Sequence, residues 1–579
     1  MATSHLHARI SKMTWLIMAI MALLVMRLFF LQVIEHKKYV ALAQSEQVRS
    51  LVIPASRGEI YAMNGSSPTK MVLNEVVFTV YVDPTQITNP THVASEIRTS
   101  LGSKVLADID RLVRAKPSQY QVVAKGVTYR QAAVLKQKQL AGIGFTQTTQ
   151  RVYPEGQLAS QTLGFVNANG SGQYGVEQAL NTQLKGKDGM RRSVTDISNV
   201  PLTLGSDNID IEPQNGKNIA LTIDVNIQAQ AEEILAKHMQ ITGATEASML
   251  VMDPQSGKVL AMANAPSYNP TDYTKITNAR LFGNPIIDTP YEPASVLKTY
   301  SMSMGIDKGI VSPSSTYYNS DRITIGPDTI ENAEKGDTGT ITMQEVLNNS
   351  LNTGTVTLLE RMGGQAGTVT QSARQTMYQY YHDRFGLGQD TGIQLAGEVP
   401  GGVIPPTNVE GSPIRYANMT FGQGLEVTTL QVASGFCSII NGGNYYKPTI
   451  IAGTVDRSGN LVTAPASQPV RHTISSNTSA TMRQMLETVR AKTAPGVDPA
   501  GYSVGGKTGT AQTIVDGKYN FQQTVATYLG YGGDTKPRYV IMVKLFAPGK
   551  NLQGNIHARP TFTDMSNWLI PYLQLHPRT

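Results

Sequence analysis

Three short clusters of polar residues could do chemistry together. Ser295 and Lys298 stand i,i+3 within Pro290-Tyr291-Glu292-Pro293-Ala294-Ser295-Val296-Leu297-Lys298, so on a helix both project from one face of one turn. A serine hydroxyl is a weak nucleophile until an adjacent base takes its proton. A lysine partly desolvated beside a helix N-terminus, whose field disfavours positive charge, can have a lowered pKa and act as that base. Ser350-Leu351-Asn352 falls between two helical stretches, where polar side chains can point into a cleft. Gly506-Lys507-Thr508-Gly509-Thr510 reads as part of a strand whose glycines allow another backbone or a ligand close. Lys507 with two hydroxyls offers an edge for a carboxylate. Singly, each has a bland explanation: a chance pair on a surface helix, a helix cap, a solvated strand with a surface lysine.

The elements that must position these residues are legible in the pattern. Pro293 suits a first helical turn and Gly309 its C-terminal cap. Thr342-Met343-Gln344-Glu345 looks like a capping box opening a short helix, and a second runs over about 353–362 to Gly363-Gly364. Residues 225–239 carry an apolar helical stripe. Residues 247–252 and 258–263 read as a hairpin around Pro254-Gln255-Ser256-Gly257. Three strands near the end, 505–515, 524–531 and 539–546, are joined by Asp516-Gly517 and Gly532-Gly533-Asp534 turns, and 562–575 is a closing helix interrupted near Pro571. Strands at both ends with helices between give an α+β domain built on an antiparallel sheet. Upstream, residues 51–215 alternate strand-like runs (76–82) with helix-like ones (128–139), and nothing catalytic stands out.

A competitor shares the third cluster. Gly501-Tyr502-Ser503-Val504-Gly505-Gly506-Lys507-Thr508 matches the phosphate-loop pattern G-x-x-x-x-G-K-[ST]. That loop must open a helix whose N-terminus cradles phosphate, whereas residues 510–515 read as strand.

Composition narrows the classes. The 579 residues amount to roughly three to four domains of polypeptide, and 40% hydrophobic content allows large cores. A net charge of +7, from Lys+Arg 49 against Asp+Glu 42, is too dilute for a nucleic-acid binder. The single Cys437, in an apolar pattern, rules out an intrachain disulfide framework and reads as buried filler. Scattered histidines, with only His5-x-His7 close together in a start that looks disordered, argue against a metal site, and no cofactor is expected.

Residues 13–34 are almost wholly apolar and long enough to span a bilayer. Arg27 interrupts them near one end, where it can snorkel. Ala41-Leu42-Ala43 would suit signal cleavage, but Glu35-His36-Lys37-Lys38 intervenes, so an uncleaved anchor is expected. Flanking charge leaves its orientation open, with Arg9 and Lys12 before the span and Lys37 and Lys38 after it.

Ser-x-x-Lys, Ser-x-Asn and Lys-Thr-Gly, in that order, form the active-site triplet of penicillin-recognising serine enzymes. The chain resembles a class B penicillin-binding protein, a monofunctional peptidoglycan D,D-transpeptidase. Arg57-Gly58-Glu59-Ile60 with Asn64-Gly65 looks like that family's membrane-proximal motif, and Tyr174-Gly175-Val176-Glu177 through Leu184-Lys185-Gly186 like its pedestal. Phe385-Gly386-Leu387-Gly388, Thr391-Gly392-Ile393, Gly422-Gln423-Gly424 with Thr428, and Asn441-Gly442-Gly443 resemble landmarks of its catalytic domain. Two departures stand out. Ala294 replaces the usual glycine before the nucleophile, where alanine suits a helix start. Ala62-Met63 replaces an Asp-Arg pair, which removes an ion pair from the pedestal.

The resemblance implies a penicillin-binding, serine β-lactamase-like transpeptidase fold at 216–579. An elongated pedestal at 48–215 precedes it, with an anchor at 13–34 and a cytoplasmic tail at 1–12, so the bulk lies outside the membrane. No glycosyltransferase domain precedes the pedestal. Ser295 would form the acyl-enzyme with Lys298 as base and Ser350 as proton relay. Asn352 would hold the substrate amide, and Lys507, Thr508, Gly509 and Thr510 would form the carboxylate-binding strand. Backbone N–H groups of Ser295 and Thr510 would make the oxyanion hole. Implied partners are peptidoglycan stem peptides, β-lactams, a polytopic glycosyltransferase of the shape, elongation, division and sporulation (SEDS) class, and other division or elongation proteins. A D,D-carboxypeptidase or β-lactam sensor on the same fold, and a non-catalytic cell-wall scaffold, remain alternatives.

Overall fold

The computed structural model describes residues 2–39, 48–194, 209–515 and 518–578. Ala41-Leu42-Ala43 and the Asp516-Gly517 turn lie outside the described residues. The chain forms two compact units, one of residues 1–57 with 186–216 and one of 58–185 with 217–579.

In the first unit, a helix over Ala2–Phe29 continues through a π-helical turn, Phe30–Ile34. The start around His5-x-His7 is thus helical, a correction to its disordered look. Ile10–Ile34 is long and apolar enough to cross a membrane, and none of its side chains is buried. It fits a single-pass anchor. The Arg27 guanidinium lies 5.6 Å from the centre of the Phe30 ring. Strands Val48–Ile53, Gly189–Val194 and Ile209–Ile211 form a small antiparallel sheet in this unit.

In the second unit, Ile60–Asn64, Ser67–Val82, Gln121–Thr128 and Ile143–Val152 belong to a sheet that also takes in Asn218–Asp224 and Ile451–Val455. Ile60–Asn64 pairs in parallel with Asn218–Asp224, Ile219 opposite Ile60. Ala62 is buried in the apolar core there. Over Ser67–Val82, Val80 and Val82 share a core with Val93, Ala94 and Ile97 of the helix Pro90–Leu101. That helix starts on Asn89, whose side chain accepts from the His92 N–H.

The Tyr174-Gly175-Val176-Glu177 motif supplies a buried ion pair. The Glu177 carboxylate, fully buried, lies 2.7 Å from an Arg151 guanidinium nitrogen, and Arg151 also donates to Asn74 Oδ1 at 2.9 Å. Glu177→Ala is expected to cost about 3–5 kcal/mol, because a buried guanidinium would lose its counter-ion. A lowered urea midpoint for the pedestal transition would show it.

The C-terminal part of this unit is built on five strands: β1 Glu246–Met252, β2 Val259–Ala265, β3 Ser503–Val515, β4 Lys518–Gly533 and β5 Pro537–Phe546, in spatial order β2-β1-β5-β4-β3 and antiparallel throughout. Alternation sends successive side chains to opposite faces. Met249, Val251, Ala526, Tyr528 and Val543 pack on α1 (Val225–Thr242) and the closing helix (Arg559–Tyr572), through Leu235, Phe562 and Leu569. Pro571 lies inside that closing helix. Leu250, Met252, Leu529 and Met542 face the other core, with Val296, Leu297 and Tyr300.

Between the strands, α2 (Lys298–Asp307), α3 (Met343–Asn348), α4 (Asn352–Met362), α5 (Thr429–Ile440) and α6 (Ser476–Thr493) build that second core. The capping box on α3 is present, with Thr342 and Glu345 bonding reciprocally. Cys437 is buried in α5.

Candidate active site

Ser295 sits in a short 3-10 turn, Ala294–Leu297, that runs directly into α2. The residue before it opens that turn with an unusual backbone. Ala294 has φ +54°, in the left-handed region, and its N–H donates to Gly422 O at 3.0 Å. That conformation explains why glycine suits the position, although the 3-10 turn does start at Ala294 as a helix start would. Gly422 is in turn obligatory, since a Cβ there would fall 2.1 Å from Ala294 O. Ala294→Gly is expected to raise stability by about 1 kcal/mol through relief of this strain. The check is a higher melting temperature with penicillin acylation retained.

Lys298 opens α2 fully buried. Its ammonium donates to Ser350 O and, at 3.2 Å, to Ser350 Oγ. Ser350 lies at the α3–α4 junction with φ +57°, a strained conformation for serine. Lys507 reaches the same hydroxyl from the sheet: its Nζ is 2.9 Å from Ser350 Oγ, 3.2 Å from Thr508 O and 3.3 Å from Thr508 Oγ1. Pleat parity explains its direction. Lys507 is opposite Leu529 and Leu529 opposite Met542, so Lys507 emerges on the face that packs against the helices.

Two buried lysines therefore converge on one serine oxygen, and among the described residues neither forms an ion pair with a carboxylate. Burial, and then the charge of Lys507, hold Lys298 well below the usual lysine range. Burial alone brings Lys507 down to about 7. Desolvation without a counter-ion favours the neutral amine, so this arrangement can supply a base and a cation side by side. Lys507 is 2% exposed, which excludes the surface-lysine reading of its cluster. Because β3 continues as strand to Val515, no helix N-terminus follows Thr508, as a phosphate loop would require.

The cleft holding these groups has a volume of about 810 Å³ and is lined by Ser295, Ser350, Lys507, Thr508 and Thr510. Gly509 belongs to it through backbone approach: a Cβ there would lie 2.9 Å from Pro293 O and 2.4 Å from Thr527 Oγ1. Thr510 Oγ1 accepts from the Gly554 N–H at 3.0 Å. Asn352 is placed differently. Its backbone N–H donates to Asn332 Oδ1 at 2.8 Å and its Nδ2 to Glu331 O at 2.8 Å. It stands at the start of α4, beside the cleft, while Asn332 lines it.

Sequence reasoning passed over Glu292. Its Oε1 accepts from the Gly424 N–H at 2.7 Å and from the Tyr519 hydroxyl at 3.0 Å. One carboxylate thereby ties the segment before the nucleophile to the Gly422-Gln423-Gly424 turn and to β4. Burial raises its pKa. The only signal in the sequence was an acid three positions before the serine.

The penicillin binding protein transpeptidase domain model matches residues 247–566. The chain belongs to the penicillin-binding protein transpeptidase family. The penicillin-binding protein dimerisation domain model matches residues 52–221, ahead of it, which places the chain among the class B penicillin-binding proteins. Similar proteins include stage V sporulation protein D of Bacillus subtilis, 29% identical over 95% of this chain and 84% of that protein. Peptidoglycan D,D-transpeptidase FtsI of Escherichia coli is 28% identical over 97% of this chain and 91% of its own. Among solved structures, penicillin binding protein 3 of Mycobacterium tuberculosis with aztreonam aligns with 91% of this chain and 98% of its own, at 26% identity and a TM-score of 0.67. In this penicillin-binding protein the three sequence clusters, 157 residues apart at the widest step, meet around one serine hydroxyl.

Proposed function

We propose that this penicillin-binding protein is a serine-type peptidoglycan D,D-transpeptidase, inhibited by β-lactams, in which Ser295 carries the acyl group. The convergence of Lys298 and Lys507 on Ser350 Oγ, inside the cleft that Ser295 lines, carries the reading. Ser295 Oγ attacks the carbonyl carbon of the penultimate D-alanine of a stem peptide, and neutral Lys298 takes its proton. Backbone N–H groups of Ser295 and Thr510 hold the developing oxyanion, each such donor contributing about 3–4 kcal/mol in other enzymes. Ser350 passes a proton to the leaving amine, the C–N bond breaks and D-alanine departs. An amine of a second stem peptide then attacks the ester, forming the cross-link and restoring Ser295. Lys507 in its charged form, with Thr508 and Thr510, holds the terminal carboxylate, and Asn352 steadies the substrate amide from the α4 end.

Incubating the purified full-length protein with a stem pentapeptide and an amine acceptor tests the reading. Mass spectrometry should find D-alanine release coupled to amide formation. Release of D-alanine with hydrolysed tetrapeptide alone would favour the carboxypeptidase, and neither product the scaffold.

The same reading takes residues 1–12 as a cytoplasmic tail, 13–34 as the anchor, 48–215 as the pedestal and 216–579 as the transpeptidase region outside the membrane. Its membrane partner is a polytopic SEDS glycosyltransferase, in company with other division or elongation proteins. Arg27 supports this, since an arginine inside an apolar helix costs roughly 3 kcal/mol on insertion scales and is favoured facing protein. Arg27→Leu is expected to weaken co-purification with that polymerase and to leave penicillin acylation unchanged. Undiminished co-purification after both Arg27→Leu and pedestal deletion would overturn the docking.

A further inference from the structure

A second cavity, of about 820 Å³, opens at the β1–β2 end of the sheet, within the size range of ligand sites. Its walls include apolar side chains such as Ala247, Pro266, Leu281, Val525 and Phe546. Gln161 and Tyr174 from the pedestal half close one side.

Lys544 of β5 projects into this cavity and is only 9% exposed. Strand register sets its direction: Ser248 and Thr527 are its neighbours on β1 and β4, and Asn264 is opposite Ser248. Lys544 therefore sits in a polar row that crosses the sheet to Gly509. Its ammonium lies 4.9 Å from the centre of the Tyr291 ring. None of the described residues hydrogen-bonds or ion-pairs with it. Glu246 and Asp288 line the same cavity and act on Lys544 through space, but burial outweighs them and brings the lysine down to about 8. Asp288 is itself engaged by the Thr289 hydroxyl at 2.7 Å.

A buried ammonium without a hydrogen-bonded anion, in an apolar cavity, is stabilised by a ligand carboxylate. The cavity lining also includes Arg280, so two cations and two acids, Glu246 and Asp288, face the same space, and this balance of charge suits a ligand that carries both a carboxylate and an amino group. We propose that this cavity is a second, non-catalytic peptide site, taking a short zwitterionic peptide with its carboxylate on Lys544 and its amino group toward Glu246 and Asp288. The ligand class rests on the stem-peptide reading above, but the site does not use Ser295.

The test uses full-length protein in detergent, with Ser295 first blocked by penicillin, and D-alanyl-D-alanine as the probe. At about pH 8, where Lys544 is partly neutral, an amine-acylating reagent should modify it, and mass spectrometry locates the label. Saturating dipeptide should slow labelling of Lys544 severalfold relative to an exposed lysine of the same digest such as Lys335, a ratio that consumption of reagent by the dipeptide's own amine leaves unchanged, and the same dipeptide capped at both ends should not. Lys544→Met should weaken calorimetric binding by at least about tenfold, or about 1.4 kcal/mol. Labelling of Lys544 that the dipeptide does not change overturns the site, and this readout needs no variant to fold. So does equal binding by Lys544→Met. Failure of penicillin to label Ser295 would count against the catalytic reading alone, because Lys544 protection is scored on its own peptide.

Discussion

Ser295→Ala is expected to lose the covalent penicillin adduct entirely and to lower transpeptidation by on the order of 10⁶-fold, the scale of nucleophile loss in serine enzymes. The expectation rests on Ser295 lining the same cleft as Ser350 and Lys507, with Lys298 bonded to Ser350. Intact-mass measurement after penicillin treatment should give one adduct on the native protein, and digestion should locate it on the Ser295 peptide. The fold should survive, because Ser295 lines an open cleft and removal of its hydroxyl leaves no cavity in the core. An adduct that persists in Ser295→Ala would assign the nucleophile elsewhere.

The second large effect is in pH dependence. Lys298 must be neutral to take the Ser295 proton, so acylation rises as pH passes upward through its depressed pKa. Lys507 must be charged to hold a carboxylate, so acylation falls as pH rises through about 7. The pH profile of the second-order acylation constant is therefore expected to be bell-shaped, with its alkaline limb near neutrality. The two limbs belong to the coupled pair, since charge on Lys507 lowers Lys298 further. Lys507→Arg should erase the alkaline limb, because a guanidinium stays charged throughout. Lys507→Ala should slow acylation by about 10–100-fold, the loss of one charge-assisted hydrogen bond, and the remaining rate should no longer fall above neutral pH. A profile for Lys507→Arg with an unchanged alkaline limb would remove Lys507 from this role.

Much of this molecule could be read without coordinates, because its signals are local. The Thr342 capping box, the β1–β2 hairpin and the β3–β5 meander each follow from residues a few positions apart, whose hydrogen bonds and pleat parity are set within the segment. The order of the three clusters identified the chemistry, since Ser-x-x-Lys alone or Lys-Thr-Gly alone has a bland alternative. The apolar stretch that ends at Ile34 likewise declared itself through length and composition. What the sequence could not supply were properties that depend on neighbours distant along the chain. The left-handed backbone at Ala294 is imposed by Gly422, and the role of Glu292 comes from Gly424 and Tyr519. Asn352 turns to Glu331 O because the hairpin of residues 322–331 packs beside the start of α4. Above all, the working state of the two lysines was settled by tertiary structure alone: only packing from several elements removes water and counter-ions from both, and that desolvation is the largest cause of their lowered pKa.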